Sequence, residues 1–444
     1  MLIDRYKTNI SRHNLEEILH RNMTPAEIID YLQRGAVYHS FSEVLRLAYP
    51  ADDLREKLKS GLIRMTGLED SAEQARTIEK SVRNWLDGGV VPKNRGQLFK
   101  ICFALELSEG DADYVFRRAA ETGIHYRNPQ ELVFAFALRT GMTWAEAEAL
   151  DTEMARIYEP LVSGAAKMRR EEWTRREREF REQRRAEINR IKAIRDDVRR
   201  KRYGLEFKEV YVASVRQQED PEFFTSRIRD EFAGVRTRED LEAFFRENGA
   251  DLGRLHESAY EKFWELLIQL QEPEILLEDE LDISSLSLKD VSDIYFRMHV
   301  PRQKNLKNFT YLQKMIKKNW PDYSELQRMK SRTVDVSRKV ILLLFLITGD
   351  FLEEEDAPDG TEDAAVQFQD AVADAMDMDE DTPEDRLEVM IRRIDWLLEK
   401  YGMNQLDPGS PFDCLLLYAL AAQCDDDFFS DEFSRALEVL FEDV

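Results

Sequence analysis

Apolar residues recur along most of the chain at the spacing of an α-helix. In segments 15–19 and 28–32, leucine and isoleucine lie three and four positions apart, which places them on one helical face. The second segment follows Thr24-Pro25. Threonine can cap the first free N–H groups, and proline suits the first helical turn. A helix is therefore predicted to begin at Pro25.

A different pattern occupies residues 165–202, where dense charge surrounds a thin apolar stripe without glycine or proline. We predict one long helix there, roughly 55 Å long at 1.5 Å per residue. A protein partner, or a second copy of the chain as a homodimer, is predicted to pack along this Trp173 stripe. The stripe comprises Met168, Trp173, Phe180, Ile188, Ile191, Ile194 and Val198.

Residues 206–300 begin with a short predicted strand over 209–215 and continue with helical patterns. Predicted helices lie around 223–232, 240–245 and 260–270.

Residues 351–385 contain fifteen acids and no base, and include the turn signal Ala357-Pro358-Asp359-Gly360. We predict a flexible acidic linker. It ends at Thr382-Pro383, which repeats the start signal of Thr24, and the helix predicted from there runs to Gly402. At the C-terminus, the face formed by Phe433, Leu437, Leu440 and Phe441 is predicted to pack on its own domain. The alternative is an acidic amphipathic helix that docks on another protein.

Composition supports an all-α fold. The chain has 444 residues, with only 18 glycines and 13 prolines, which is few for a turn-rich β-architecture. Its length suits two or three domains. The predicted divisions are an N-terminal helical domain at 1–160, the long helix at 161–205, a middle helical region at 206–300, a basic module at 301–350, the linker at 351–385 and a C-terminal helical segment at 386–444.

The net charge of −24 argues against a protein that coats nucleic acid with its whole surface. The longest apolar run, Val340 to Ile347, is too short for a membrane span, and the N-terminus lacks the apolar segment of a signal peptide. Cys102, Cys414 and Cys424 form no paired motif, and the first two lie in apolar helical runs. We therefore expect a cytoplasmic protein without membrane contact.

The sequence offers no pattern for metal or cofactor chemistry. Its six histidines are scattered, no glycine-rich phosphate loop occurs, and no catalytic serine motif is present. Alternating Asp377, Asp379 and Asp381 resemble a calcium loop but lack its glycine and closing glutamate, so an acidic, disordered strip is preferred. We predict no cofactor and a non-enzymatic protein, with an enzyme whose site is hidden in the sequence as an alternative.

The most informative segment is residues 81–92, followed by an apolar helix at 98–107. Val82, Trp85 and Leu86 share one face, Gly88 can end the helix in the left-handed conformation, and Pro92 prevents its continuation.

This arrangement resembles the second half of a lambda-repressor-like (XRE-type) helix-turn-helix domain. In that family a recognition helix ends in an aromatic residue, glycine caps it, proline follows and a core helix comes next. The resemblance covers residues 41–118 and departs from the family at 62–74, which is longer and poorly patterned. It implies that the opposite face of the helix lies in the major groove of DNA, with neighbouring cations on phosphates. The alternative is an ordinary pair of helices with a glycine cap.

A second, degenerate copy is predicted near 308–350. Residues 325–340 align without gaps on 81–96, with Leu326 on Val82 and Met329 on Trp85. Residues 126–138 are echoed by 406–420 in the same order. We therefore predict an internal duplication with the acidic linker inserted in the second copy; chance similarity between leucine-rich helices is the alternative.

Cations cluster near both copies. Residues 301–340 carry eleven bases and three acids despite the acidity of the chain. The candidate nucleic-acid contacts are Lys80, Arg83, Asn84, Lys93 and Arg95 in the first copy and Lys317, Lys318, Arg328, Lys330, Arg332, Arg338 and Lys339 in the second. The alternative for such a run is a solvated helical face.

Residues 161–204 are a second basic region, with sixteen bases and eight acids. Nucleic-acid binding is one interpretation of it. We favour a solvated helix whose charges pair along its surface, for example Glu171 with Arg175.

Together these features predict an intracellular regulator or adaptor that binds duplex DNA through helix-turn-helix-like modules. The alternative is an acidic protein-binding scaffold, or an inhibitor of a nucleic-acid-binding partner.

Overall fold

A computed structural model of the chain describes residues 9–193, 221–270, 289, 291–349, 383–422 and 429–442, apart from the short stretches 22, 39, 68–71, 88–90, 93, 121, 254–256, 298, 303–308 and 319. Every regular element within these residues is a helix, which confirms the all-α class. The predicted strand at 209–215 and the acidic linker, up to residue 382, lie outside the described residues.

The chain divides into two compact units. The first, here the central unit, is Ser40–Glu261. The second, here the split unit, combines Met1–His39 with Lys262–Val444.

The central unit packs successive helices around one core, with α4 against α5 and α6, α3 against α7, and α8 against α9. Its helices are α3 (Phe41–Ala48), α4 (Leu54–Thr66), α5 (Ala72–Leu86), α6 (Arg95–Ala104), α7 (Glu109–Ala119), α8 (Pro129–Arg139), α9 (Trp144–Lys192), α10 (Pro221–Ala233), α11 (Arg238–Asn248) and α12 (Glu257–Gln269), which contains the boundary between the units.

The split unit brings the N-terminal helices onto the C-terminal ones, with α1 against α17 and α2 against α18. Its helices are α1 (Asn9–His20), α2 (Pro25–Arg34), α13 (Tyr311–Lys317), α14 (Tyr323–Lys330), α15 (Arg338–Thr348), α16 (Pro383–Lys400), α17 (Pro411–Ala421) and α18 (Phe429–Phe441), together with a π-helical turn at Val291–Tyr295.

Local sequence signals set many helix starts. Helix α2 begins at Pro25 as predicted, and the backbone N–H of Thr24 donates to Oε2 of Glu27 at 2.9 Å while the Glu27 N–H donates to the Thr24 hydroxyl at 3.4 Å. Helix α16 begins at Pro383 and is followed by Gly402 at φ +65°, as predicted. The expected helices at 223–232, 240–245 and 260–270 are also present as α10, α11 and α12.

The central core is rich in aromatic rings. Phe99 on α6 lies 4.5 Å from Phe116 and 5.2 Å from Phe134 between ring centroids. Phe103 lies 5.3 Å from Trp144. Helix α8 is buried from Glu131 to Leu138, because its own side chains are apolar on nearly every face.

The split unit has two similar, largely apolar helices, α15 and α17, which are buried along most of their length. The predicted face of α18 packs on α2, α15 and α17, and all four of its residues are buried. That prediction is confirmed.

The long helix begins earlier than predicted, and the predicted residues 194–202 lie outside the described residues. It begins at Trp144 rather than near 165 and continues through Pro160 to Lys192. Trp144, Met154 and Tyr158 are buried, since this first part packs on α8 and α11. The predicted domain boundary at 160 therefore falls inside a helix. Packing on α8 and α11 stabilises the helix despite the backbone hydrogen bond that Pro160 cannot make.

Each unit contains a buried arginine–carboxylate pair, here called a clamp. In the central clamp, Nε and Nη2 of Arg95 donate to the two oxygens of Glu131 at 2.6 and 2.7 Å. The same guanidinium donates to the carbonyl oxygens of Thr122 and Gly123 at 3.3 and 2.6 Å. The loop before α8 is thus tied to the start of α6.

In the split-unit clamp, Nη1 and Nη2 of Arg338 donate to the two oxygens of Asp413 at 2.9 and 2.7 Å. The guanidinium also donates to the carbonyl oxygens of Asn404 and Gln405 at 2.7 and 3.1 Å. This clamp ties the loop before α17 to the start of α15.

Candidate nucleic-acid interface

Helix α5 is held by its apolar side. Val82 is buried, and Ile78, Trp85 and Leu86 pack partly against the central core. These positions are three and four apart, so the opposite side of the helix faces solvent. Pro92 is buried beyond the end of the helix, while Gly88, its predicted cap, lies outside the described residues.

The outward side carries Arg76, Lys80, Arg83 and Asn84, here called the α5 face. All four residues are exposed, and their spacing of three, four and seven positions aligns them along residues 76–84 of the helix, a length of about 13 Å. Arg76 is not among the residues predicted from the sequence. Its position four residues before Lys80 would have predicted that it lies on the same helical face.

The acids near this face are paired with cations of another helix. Asp87 accepts from Arg55 at 2.6 Å, and Glu79 accepts from Lys59 at 3.2 Å. In the part of the chain that the structure describes, no acid pairs with the three cations of the α5 face. The face therefore presents positive charge to solvent.

The remaining candidates of the first copy lie elsewhere. Arg95 belongs to the central clamp, and its side chain is only 26% exposed. It does not face solvent as a phosphate contact would, because Glu131 and two loop carbonyls occupy its donors. Lys93 lies outside the described residues.

Two cations of the second copy are also internal. Arg338 forms the split-unit clamp with a side chain 11% exposed. Lys339 is buried, and its Nζ donates to the carbonyl of Ile316 at 2.9 Å and lies 4.6 Å from the Phe412 ring centroid. We therefore leave both residues out of the proposed DNA surface.

Four further candidates are half-buried. Nζ of Lys317 donates to the carbonyl of Pro301, and desolvation lowers the pKa of Lys317. Lys318 lies beside it, and its carbonyl accepts from Lys339. Nζ of Lys330 lies 5.5 Å from the Trp264 ring centroid. Arg332 has a left-handed backbone with φ +54°.

Arg328 differs from these four. It is exposed on α14, and in the described ranges no carboxylate pairs with it. Of the seven candidates in the second copy, it is the one that points fully into solvent.

The basic side of α9 pairs within itself, as favoured above. Arg175 bonds Glu172 at 2.6 Å and Glu179 at 3.2 Å, whereas the predicted partner Glu171 lies 4.0 Å from Lys167. Met168, in the predicted Trp173 stripe, is 72% exposed. The side chain of Trp173 lies outside the description.

Other reactive groups are structural. Burial raises the pKa of the Cys102 and Cys414 thiols, which lie in apolar cores as expected, while Cys424 falls outside the described residues. Within the described ranges, no cluster of three or more His, Cys, Asp or Glu residues is arranged to hold a metal ion.

Comparison of the chain with protein-family models, with curated proteins and with solved structures finds no match. Among the described helices, none combines the length and the apolar composition needed to cross a bilayer.

Proposed function

We propose that this protein is a non-enzymatic regulator or adaptor that binds duplex DNA through α5. The observation that carries the proposal is the α5 face, a row of exposed, unpaired cations beside an asparagine on a helix anchored by its opposite side. In this proposal α4 and α5 take the roles of the two helices of a helix-turn-helix pair, whose second helix enters the major groove.

The chemistry of the face suits both parts of DNA recognition. Arg76 and Lys80 provide charge for phosphates, which positions a protein without reading sequence. Arg83 and Asn84 lie near the end of the helix; arginine pairs well with guanine, and asparagine with adenine, in the major groove. The face extends over about two and a half turns, and a helix about 10–12 Å in diameter fits the major groove, which is about 12 Å wide.

The net charge of −24 limits the expected affinity of the protein for DNA. Acidic surfaces repel the phosphate backbone, so binding depends on local cationic surfaces such as the α5 face and is weak without a preferred sequence. Salt then screens a small number of attractive contacts, and affinity falls as ionic strength rises.

The test is fluorescence anisotropy of a labelled mixed-sequence duplex over a series of salt concentrations. We expect binding at low salt. Lys80→Ala/Arg83→Ala is expected to reduce the slope of log affinity against log salt by about 2, because on a duplex without a preferred sequence each of the two cations neutralises about one phosphate. The matched control is Arg246→Ala, which removes an exposed cation of the same unit paired with Glu242 within its own helix.

The proposal fails if the wild-type protein does not bind the duplex at low salt. It also fails if the double variant keeps the wild-type salt slope. Capture of a basic protein, with no affinity for DNA, would instead favour the acidic scaffold.

A further inference from the structure

The two clamps occupy the same positions in their helices. Arg95 and Arg338 are each the first residue of a helix, after the capping residues Asn94 and Ser337. Glu131 and Asp413 are each the third residue of a helix that begins with proline. Both carboxylates receive two donors from one guanidinium.

The hydrogen bonds around the clamps also match. An oxygen of Glu131 accepts from the His125 N–H at 2.8 Å, six residues earlier, and an oxygen of Asp413 accepts from the Asp407 N–H at 2.8 Å, again six residues earlier. The carbonyls bound by each arginine, at 122 and 123 and at 404 and 405, lie nine and eight residues before the acid.

A second pair of acids extends the match to another helix. Oδ1 of Asp113 on α7 accepts from the Ile124 N–H at 2.7 Å, and Oδ1 of Asp395 on α16 accepts from the Leu406 N–H at 2.6 Å. In both cases acid and amide are 11 residues apart. Bonds within one helix cap occur in many proteins. The bonds described here instead join separate helices and loops, so they indicate a shared tertiary arrangement.

The backbone agrees with this correspondence. A left-handed residue follows each arginine by eleven positions: Glu106 with φ +53° and Gly349 with φ +67°. The number of residues from Asp113 to Glu131 equals the number from Asp395 to Asp413. The second segment is therefore longer than the first only between Gly349 and Asp395. That interval contains the acidic segment.

The correspondence assigns a counterpart to α5. Helix α5 ends at Leu86 before α6, and α14 ends at Lys330 before α15. Val82 and Leu326 are both buried four residues before these ends. The loop before α15 is one residue shorter than the loop before α6, since α14 ends eight residues before Arg338 and α5 ends nine residues before Arg95. With Val82 aligned on Leu326, the positions of Lys80, Arg83 and Asn84 fall on Ser324, Gln327 and Arg328, here called the α14 face.

We propose that the α14 face is a second duplex-DNA contact, equivalent to the α5 face by internal duplication. This inference rests on the proposed function of α5. Ser324 and Arg328 are exposed and Gln327 is half-buried. Arginine and glutamine pair with guanine and adenine, and serine reaches phosphates or bases.

The second contact is the weaker one. Helix α14 has 8 residues, about 12 Å, and its first turn carries the capping acids Asp322 and Glu325. A single cation on this face supplies little affinity alone. Once α5 is bound, however, the second contact becomes intramolecular because both faces belong to one chain. Its high effective concentration then makes it measurable on a duplex that offers more than one binding site.

The experiment uses the full-length protein with two labelled mixed-sequence duplexes, one of about 10 bp and one of about 40 bp, or one and four helical turns. The variants are Gln327→Ala/Arg328→Ala, Lys80→Ala/Arg83→Ala and their combination. Arg34→Ala is the control, because it removes a cation of the split unit that pairs with Asp30 in the same helix. Melting curves confirm that each variant is folded.

We expect Gln327→Ala/Arg328→Ala to weaken binding to the long duplex about tenfold, while binding to the short duplex changes less than about twofold. The salt slope on the long duplex decreases by about 1. Arg34→Ala leaves both affinities unchanged.

Wild-type affinity of Gln327→Ala/Arg328→Ala for both duplexes, with loss of binding in Lys80→Ala/Arg83→Ala, would overturn the second contact and leave the proposed function intact. The reverse result would support the α14 face and remove the function proposed for α5. A wild-type protein that binds neither duplex would overturn both.

Discussion

At residue scale, Arg95 and Arg338 each join a loop to the first turn of a buried helix. Both partners of the Arg95–Glu131 pair are largely shielded, with side chains 26% and 7% exposed. A buried ion pair adds little stability compared with an apolar pair of the same shape. Removal of one partner, however, leaves the other charge buried without a counter-charge. The clamps are therefore sensitive to single substitutions.

Arg95→Ala and Glu131→Ala are each expected to lower the free energy of unfolding by about 3 kcal/mol. The double variant is expected to lose less free energy of unfolding than the two single variants together, because neither charge is left buried without its partner. The expected coupling energy is about 1–3 kcal/mol. Urea unfolding at pH 7 measures the cycle. The exposed Arg34–Asp30 pair, with side chains 77% and 58% exposed, is the control and couples by about 0.5 kcal/mol or less. Equal coupling in both cycles would contradict the clamp.

At the scale of elements, reciprocal caps define several helix starts, and one of them responds to pH. At α2 the backbone N–H and hydroxyl of Thr24 donate to Glu27 and lower the pKa of its carboxylate. The folded state therefore favours the ionised form of Glu27. Its stabilising contribution is present above its ordinary pKa near 4.5 and is lost as pH falls through the lowered value.

Glu27→Gln is accordingly expected to lower stability near neutral pH and to have a diminishing effect toward acid pH, because wild-type Glu27 becomes protonated there. Melting temperatures of both proteins over a pH series measure this. A constant difference across the series would show that the charge of Glu27 does not contribute to the cap.

At the scale of the molecule, N-terminal residues complete the split unit. Asn14 is fully buried, and its side-chain amide donates to the carbonyls of Val37 and Pro408 at 2.7 Å. Ser11 donates to Asp407 at 2.6 Å. Leu32 on α2 is buried where this helix packs on α18. Helices far apart in sequence thus share one core.

Leu32→Ala is expected to destabilise the split unit by about 2–5 kcal/mol through the cavity that it leaves. Hydrogen exchange followed by mass spectrometry should show faster exchange in α18. Peptides from α6, in the central unit, serve as the internal reference. Faster exchange confined to α2 would mean that α2 does not support α18.

The sequence by itself determined the all-α class, several helix starts and the outward side of α5. These depend on spacing and caps within a few residues, and such interactions are complete inside one helix. The alignment of Val82 with Leu326 and of Trp85 with Met329 was also visible in the sequence, as a pattern of apolar positions.

Only the tertiary structure decided which cations are exposed. The local sequence does not distinguish Arg95 from the exposed Arg83. The carboxylate that pairs with Arg95 is 36 residues away, and the carboxylate that pairs with Arg338 is 75 residues away. Local patterns do not encode such partners, because packing of distant helices brings them together. The same reason placed Asn14 beside Pro408 and left Arg328 as the fully exposed cation among the seven candidates of the predicted second copy.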